Sequence, residues 1–185
     1  MVINILDMSV TEQPEHAATL PVAPSVWRNP WHFLAFGFGT GTLPKAPGTW
    51  GSLAALPFIP LLQLLPDWGY WLALCVTLLF GFWLCGKVAD DLRVHDHEGI
   101  VWDEMVGMWI TLWLVPEGFV WLLLGFLLFR LFDILKPWPI SWVDRHVHGG
   151  VGIMLDDVLA GVLAWISLQL IVWGWTDGLA AVLGL

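Results

Sequence analysis

The feature that most restricts the fold is a series of long apolar stretches with basic residues confined to alternate connections. The stretches run about Trp50–Leu65, Trp68–Cys85, Ile100–Val115, Gly118–Leu135 and Val158–Trp175. All seven Lys and Arg lie before the first (Arg28, Lys45), between the second and third (Lys87, Arg93), or from the end of the fourth onward (Arg130, Lys136, Arg145). The connections at Pro66-Asp67 and Pro116-Glu117-Gly118 carry none, and neither does the chain after Trp175. Such asymmetry is the positive-inside pattern of membrane proteins. At 58% hydrophobic and 12% charged residues, a water-soluble fold would have to expose much of that apolar surface. Fifteen Trp against one Tyr suits anchoring at a membrane interface. The expected fold is an all-α polytopic membrane helical bundle with four to five apolar segments. Because a crossing helix needs about 20 apolar residues, the first, third and fourth are expected to be short or partly re-entrant. Residues 1–30 read as a flexible cytoplasmic tail and 31–185 as the membrane-embedded domain. Five crossings from an inside amino terminus would put the carboxyl terminus outside.

Several function classes are excluded early. A net charge of −9 argues against nucleic acid as a partner. Cys75 and Cys85 lie ten positions apart in one apolar stretch, about 15 Å along a helix, which is too far for a disulfide. Neither belongs to a Cys-x-x-Cys or Cys-x5-Arg pattern. Met1 to Val10 has no basic region and no long apolar core behind it, so it does not read as a secretory signal. No internal repeat is evident, which removes the inverted halves of many secondary transporters.

Four polar stretches fall on the basic side. In Gly37–Ser52, glycines permit an anion nest, Lys45 adds a mobile charge, and Thr49 or Ser52 could donate at a helix start; together these suit a phosphate group. The glycine spacing fits neither a Walker A loop nor a Rossmann turn. In His95–Glu104, Asp103 and Glu104 enter an apolar segment, where carboxylates are costly unless a cation or metal pairs with them. Adjacent helix positions differ by about 100°, so one of the two is expected to bind a metal and the other to hold a water or a base. Asp96 is a further candidate ligand, while His95 and His97 read as solvated loop residues. In Phe129–Pro139, Arg130 and Asp133 share a helix face, as do Asp133 and Lys136. A local salt bridge is the bland reading, but an arginine this deep in an apolar run marks a functional site. In Asp144–Asp157, Arg145 adds a cation and Asp156-Asp157 sit where a helix begins, among Gly149, Gly150 and Gly152. Acids there suit the helix dipole, and the glycines allow a crowded site. Carboxylates without a cysteine ligand set point to Mg²⁺ rather than zinc. Arg and Lys beside a hard metal suit phosphoryl groups. The residues alone indicate a membrane-embedded, metal-dependent, phosphate-handling enzyme.

The runs Ala46–Ser52, Ile100–Glu104, Phe129–Pro139 and Gly149–Asp157 are similar to those of the phosphatidylglycerophosphatase A family of bacterial inner-membrane lipid phosphatases. That resemblance covers roughly residues 31–175. It implies removal of the terminal phosphate of phosphatidylglycerophosphate, giving phosphatidylglycerol, with Mg²⁺ as cofactor and the active site on the cytoplasmic side. Asp103, Glu104, Asp133, Asp156 and Asp157, with Asp96, are then the candidate metal and catalytic acids. Lys45, Thr49, Ser52, Arg130, Lys136 and Arg145 are the candidate phosphate contacts. Whether water attacks directly or an aspartyl-phosphate forms stays open, as does the oligomeric state. A cation transporter and a non-catalytic scaffold are the competing classes. The first should tolerate neutralisation of Lys45 and Arg130, the second Asp133→Asn and Asp157→Asn.

Overall fold

The computed structural model describes residues 23–94 and 96–183, and every regular element among them is helical. Most of the expected tail, residues 1–22, lies outside the described residues, as does His95. Two short helices, α1 (Ala23–Val26) and α2 (Pro30–Ala35), precede α3 (Pro47–Ala55) and α4 (Ile59–Gln63). Then follow α5 (Asp67–Leu92), α6 (Trp102–Thr111), α7 (Phe119–Leu135), α8 (Ile140–His146) and α9 (Gly149–Leu183).

Helix α9 is the central post. It runs antiparallel to α5, with Gly150 against Gly86 and Met154 against Gly81. A Cβ on Gly150 would lie 2.1 Å from Phe82 O, so only glycine permits this approach. Helix α6 runs parallel to α9. Gly107 meets Gly161, Thr111 Oγ1 donates to Gly107 O at 2.9 Å, and Trp165 Nε1 donates to Trp113 O at 3.0 Å. Helix α7 returns antiparallel to both, with Phe129 over Gly107 and Gly125 between Leu112 and Leu168. Buried hydrogen bonds from Tyr70 Oη to Trp109 O (2.7 Å) and from Trp109 Nε1 to Ala55 O (3.1 Å) tie α5, α6 and α3 together.

Among the described residues two helices, α5 and α9, are long and apolar enough to cross a bilayer, fewer than the four to five such segments expected. The first apolar stretch is divided, because Pro57 and Pro60 remove backbone donors and a 3-10 turn at Leu56–Phe58 separates α3 from α4. The third contains only the ten-residue α6, about 15 Å long. The chain leaves it through Leu114 in a left-handed conformation (φ 55°). The fourth forms the 17-residue α7, just short of the usual span of about 20. Helix α6 is apolar for another reason: Met105, Val106, Met108 and Leu112 are fully buried inside the bundle. By contrast Trp68, Leu72, Val76 and Leu79 of α5 face outward with no protein over them. Hydropathy does not distinguish burial in protein from contact with lipid.

The polarity of these helices decides where the charges go. Helices α5 and α7 end where α3, α6 and α9 begin. Helix α2 is fastened to the same end, since His32 bridges Ser25 Oγ and Asp91 Oδ2 at 3.2 Å each. All seven basic residues, in these connections or in the helix ends that flank them, therefore gather at one end of the bundle.

Replacing Gly150 by Ala should force α5 and α9 apart and cost about 1–3 kcal/mol, as overpacking does. Gly174→Ala, where a Cβ meets nothing within 4 Å, should leave the melting midpoint unchanged or raised. Thermal unfolding of the two purified variants in detergent checks this.

Candidate active site

Three acids from two helices converge at the charged end. Asp103 and Glu104 lie in the first turn of α6, which has no side-chain cap, and Asp157 lies two turns into α9. One carboxylate oxygen from each lies within 4.8 Å of the other two. Asp103 and Asp157 are buried, and Glu104 is half-buried. Asp103 Oδ1, Glu104 Oε2 and Asp157 Oδ1 are all buried without a hydrogen-bond partner. Unpaired carboxylates in such a place are expensive, and a hard cation held by oxygen ligands removes the cost. The donor set therefore fits a divalent ion such as Mg²⁺ or Ca²⁺ and does not fit a soft one. Asp103 and Glu104 both reach the cluster. The expected 100° separation is overcome because Glu104 has the longer side chain.

Arg130, near the end of α7, brings the opposite charge. Its Nη1 forms an ion pair with Asp133 Oδ2 that lacks hydrogen-bond geometry. Its Nε and Nη1 are otherwise buried with no acceptor. Asp133 is also close enough to Glu104 and Asp157 to act on both electrostatically, and Arg130 acts directly on Glu104. Gly48, in the first turn of α3, closes this corner. A Cβ there would meet Glu104 Oε1 at 2.2 Å and Arg130 Nη1 at 3.1 Å. Helix α3 starts after Ala46 in a left-handed conformation (φ 49°), with Pro47 pre-set for the first turn. Its amino-terminal end, without a side-chain cap, points its partial positive charge toward the corner.

Lys136 and Asp156 form a neighbouring but separate unit. Lys136 Nζ donates to Asp156 Oδ2 at 2.7 Å and to Asp144 Oδ1. Burial disfavours the charged form of Lys136, but its bonds to Asp144 and Asp156 outweigh this and hold its pKa above the usual lysine value. The adjacent acids of α9 thus divide: Asp157 joins the cluster, while Asp156 clamps α9 to the end of α7 and to α8.

The remaining sequence candidates are more scattered. Asp96 is exposed in the loop before α6 and lies outside the three-acid group. Lys45 is exposed just before α3, and Thr49 is half-buried in its first turn. Ser52 is fully buried and donates its hydroxyl proton to Gly48 O at 2.8 Å, which braces the turn behind the corner. Arg145 is exposed on α8 and donates to Ser141 O at 3.0 Å. His97 accepts from Gly99 N at 3.0 Å and packs on Phe36, a structural role. Both cysteines are free. Sequence reasoning overlooked Asp144 as the second partner of Lys136, and Gly48 as the space that admits Glu104. The eight-residue gap from Lys136 crosses a turn of two prolines, which hides the pairing from helical spacing.

Fold and site together define a class: an all-helical protein with two bilayer-length helices and, at one end, a buried corner offering carboxylate oxygens and guanidinium nitrogens side by side. The chain belongs to the phosphatidylglycerophosphatase A family, whose model matches residues 33–172, and it is accordingly a phosphatase. It is 51% identical to phosphatidylglycerophosphatase A of Escherichia coli strain K12 over 152 residues, 82% of this chain and 88% of that protein. It is 49% identical to phosphatidylglycerophosphatase A of Haemophilus influenzae over 138 residues, 74% and 85% of the two chains. A protein of Bacteroides thetaiotaomicron named a putative phosphatidylinositol-3-phosphatase is 41% identical over 148 residues, 76% of this chain and 92% of that one. No solved structure matches. The resemblance carried by the four polar stretches is borne out.

Two substitutions separate the corner from its support. Gly48→Ala should displace Glu104 and Arg130 and reduce phosphatase turnover about tenfold or more, the loss seen when groups that orient a metal ligand are disturbed. Ser52→Ala, which removes only an internal bond worth about 1 kcal/mol, should leave turnover within about twofold. Steady-state phosphate release by the two variants checks both.

Proposed function

We propose that this protein hydrolyses the terminal phosphate of phosphatidylglycerophosphate to give phosphatidylglycerol, with Mg²⁺ as cofactor, at the cytoplasmic surface of a bacterial inner membrane. One observation carries the reading: three buried carboxylate oxygens and two buried guanidinium nitrogens, none with a hydrogen-bond partner and Arg130 Nη1 held only by its ion pair with Asp133, share one corner. A cation alone would leave Arg130 Nε without an acceptor, and an anion alone would add to the repulsion among the acids. A metal phosphate ester satisfies both. The family match and the names of the two phosphatidylglycerophosphatase A relatives support the substrate. The gathering of all seven basic residues at the end that holds the corner supports the cytoplasmic side.

In this reading Asp103, Glu104 and Asp157 hold the ion. Mg²⁺ bound there would polarise the phosphoryl oxygens and lower the pKa of water. Arg130 offers its fork to the phosphate, a geometry that a guanidinium matches well. Asp133 restrains Arg130 and keeps the fork from folding back along α7. Lys136, held by Asp144 and Asp156, fixes the start of α9 and hence the position of Asp157. In the net reaction water supplies the new P–O bond, the bond to the glycerol oxygen breaks, and that oxygen takes up a proton. Lys45, exposed at the mouth of the corner, supplies further positive charge for the headgroup.

Phosphate release by the purified full chain in detergent, with phosphatidylglycerophosphate as substrate, tests the proposal. Activity should require added Mg²⁺ and vanish in chelator, and full activity in chelator would remove the ion from the reading. Asp103→Asn and Asp157→Asn should each lower turnover by at least about a hundredfold, beyond the usual loss for groups that only orient a ligand. Both variants should still insert and melt cooperatively. Faster release from phosphatidylinositol 3-phosphate would reassign the headgroup.

A further inference from the structure

An open groove of about 150 Å³ lies in the seam between α5, α6 and α9. Trp71, Cys75 and Leu78 line it from α5, Ile110 from α6, and Val158 and Val162 from α9. We propose that this groove seats an acyl chain of the substrate lipid while its phosphate occupies the charged corner, an inference that rests on the function proposed above.

Register connects the two places. Val158 follows Asp157 directly along α9. Ile110 comes seven positions after Asp103 on α6, two turns on, so the two share a face about 10 Å apart. Helices α5 and α9 touch closely at Gly86/Gly150 and Gly81/Met154, then part where Leu78 comes level with Val158. The seam thus opens beside the acid cluster, level with Val158, and runs away from the charged end toward Val162 and Ile110, the direction a lipid tail takes from its headgroup. Its outer lip, at Cys75 and Val162, is exposed on the flank that carries the outward apolar residues of α5.

The lining also selects the occupant. It presents no charged group and no hydroxyl, so a polypeptide segment would find no side-chain partner for its backbone there. A space of this volume holds about six carbons, the size of a benzene-sized molecule. That suits a stretch of hydrocarbon, and one chain of the lipid rather than both.

Val162→Phe and Cys75→Phe fill the groove without touching the charged corner. In mixed micelles of the full chain, both should raise KM for a long-chain phosphatidylglycerophosphate at least tenfold with kcat little changed. Both should hydrolyse the dibutyryl substrate, whose four-carbon tails are too short to fill the groove, at the wild-type rate. Unchanged KM in the two variants, or equal losses on long and short substrates, overturns the proposal. Cys75 gives a second readout independent of turnover, because it is exposed while Cys85 is buried. Long-chain phosphatidylglycerol should slow its alkylation by N-ethylmaleimide several-fold in wild-type protein, and the dibutyryl lipid should not. Equal slowing by phosphatidylcholine, no slowing at all, or a Cys75 already unreactive because a second copy covers it would each reject the groove as a substrate subsite. A wild-type protein that releases no phosphate from either substrate would instead defeat the proposed function, and the alkylation rates would still decide the groove.

Discussion

Like charge held close in a poorly solvated place is the constraint around which this molecule is built. Two carboxylates about 5 Å apart repel by about 3–4 kcal/mol at an effective dielectric of about 20, and here three share one corner. Among the described residues, Arg130 and the amino-terminal ends of α3 and α6 offset part of that repulsion, and a cation held by the three carboxylates would offset the rest. The glycine contacts explain how the corner survives. Gly107 on Gly161 and Gly86 on Gly150 bring α9 so close to α6 and α5 that Asp157 has little freedom to move away. Backbone packing opposes the electrostatics, and the resulting tension favours whatever ligand cancels it.

The charged corner was far more legible than the fold around it. Asp103, Glu104, Arg130, Asp133 and Asp157 stood out because ionisable groups in apolar runs have few structural excuses. The Arg130–Asp133 pair followed directly from helical spacing. The number of crossings did not follow, because α6 and the outward faces of α5 have similar composition and different surroundings. Met105 and Val106 are fully buried, while Leu72 and Val76 are more than half exposed. Pro57 and Pro60 did announce the break between α3 and α4. The partnership of Lys136 with Asp144 was hidden, since it depends on how the chain folds back through Pro137 and Pro139.

Adjacent acids in sequence took different duties in space. On α6 both neighbours reach the corner, because the extra methylene of Glu104 compensates for its angle. On α9 two residues of equal length cannot do this, so Asp157 turns inward and Asp156 turns to Lys136. Side-chain length at one position thereby separates two acids that share the corner from one that enters it beside a brace.

Helix α6 spans only part of the bundle's height and is walled by helices made both before and after it. A ribosome that has just released α7 has produced Asp103, Glu104 and Arg130, yet the post that carries the third acid does not exist. Assembly of the charged corner must for this reason wait until the chain has passed Asp157, and a polypeptide truncated before it leaves two acids facing a gap.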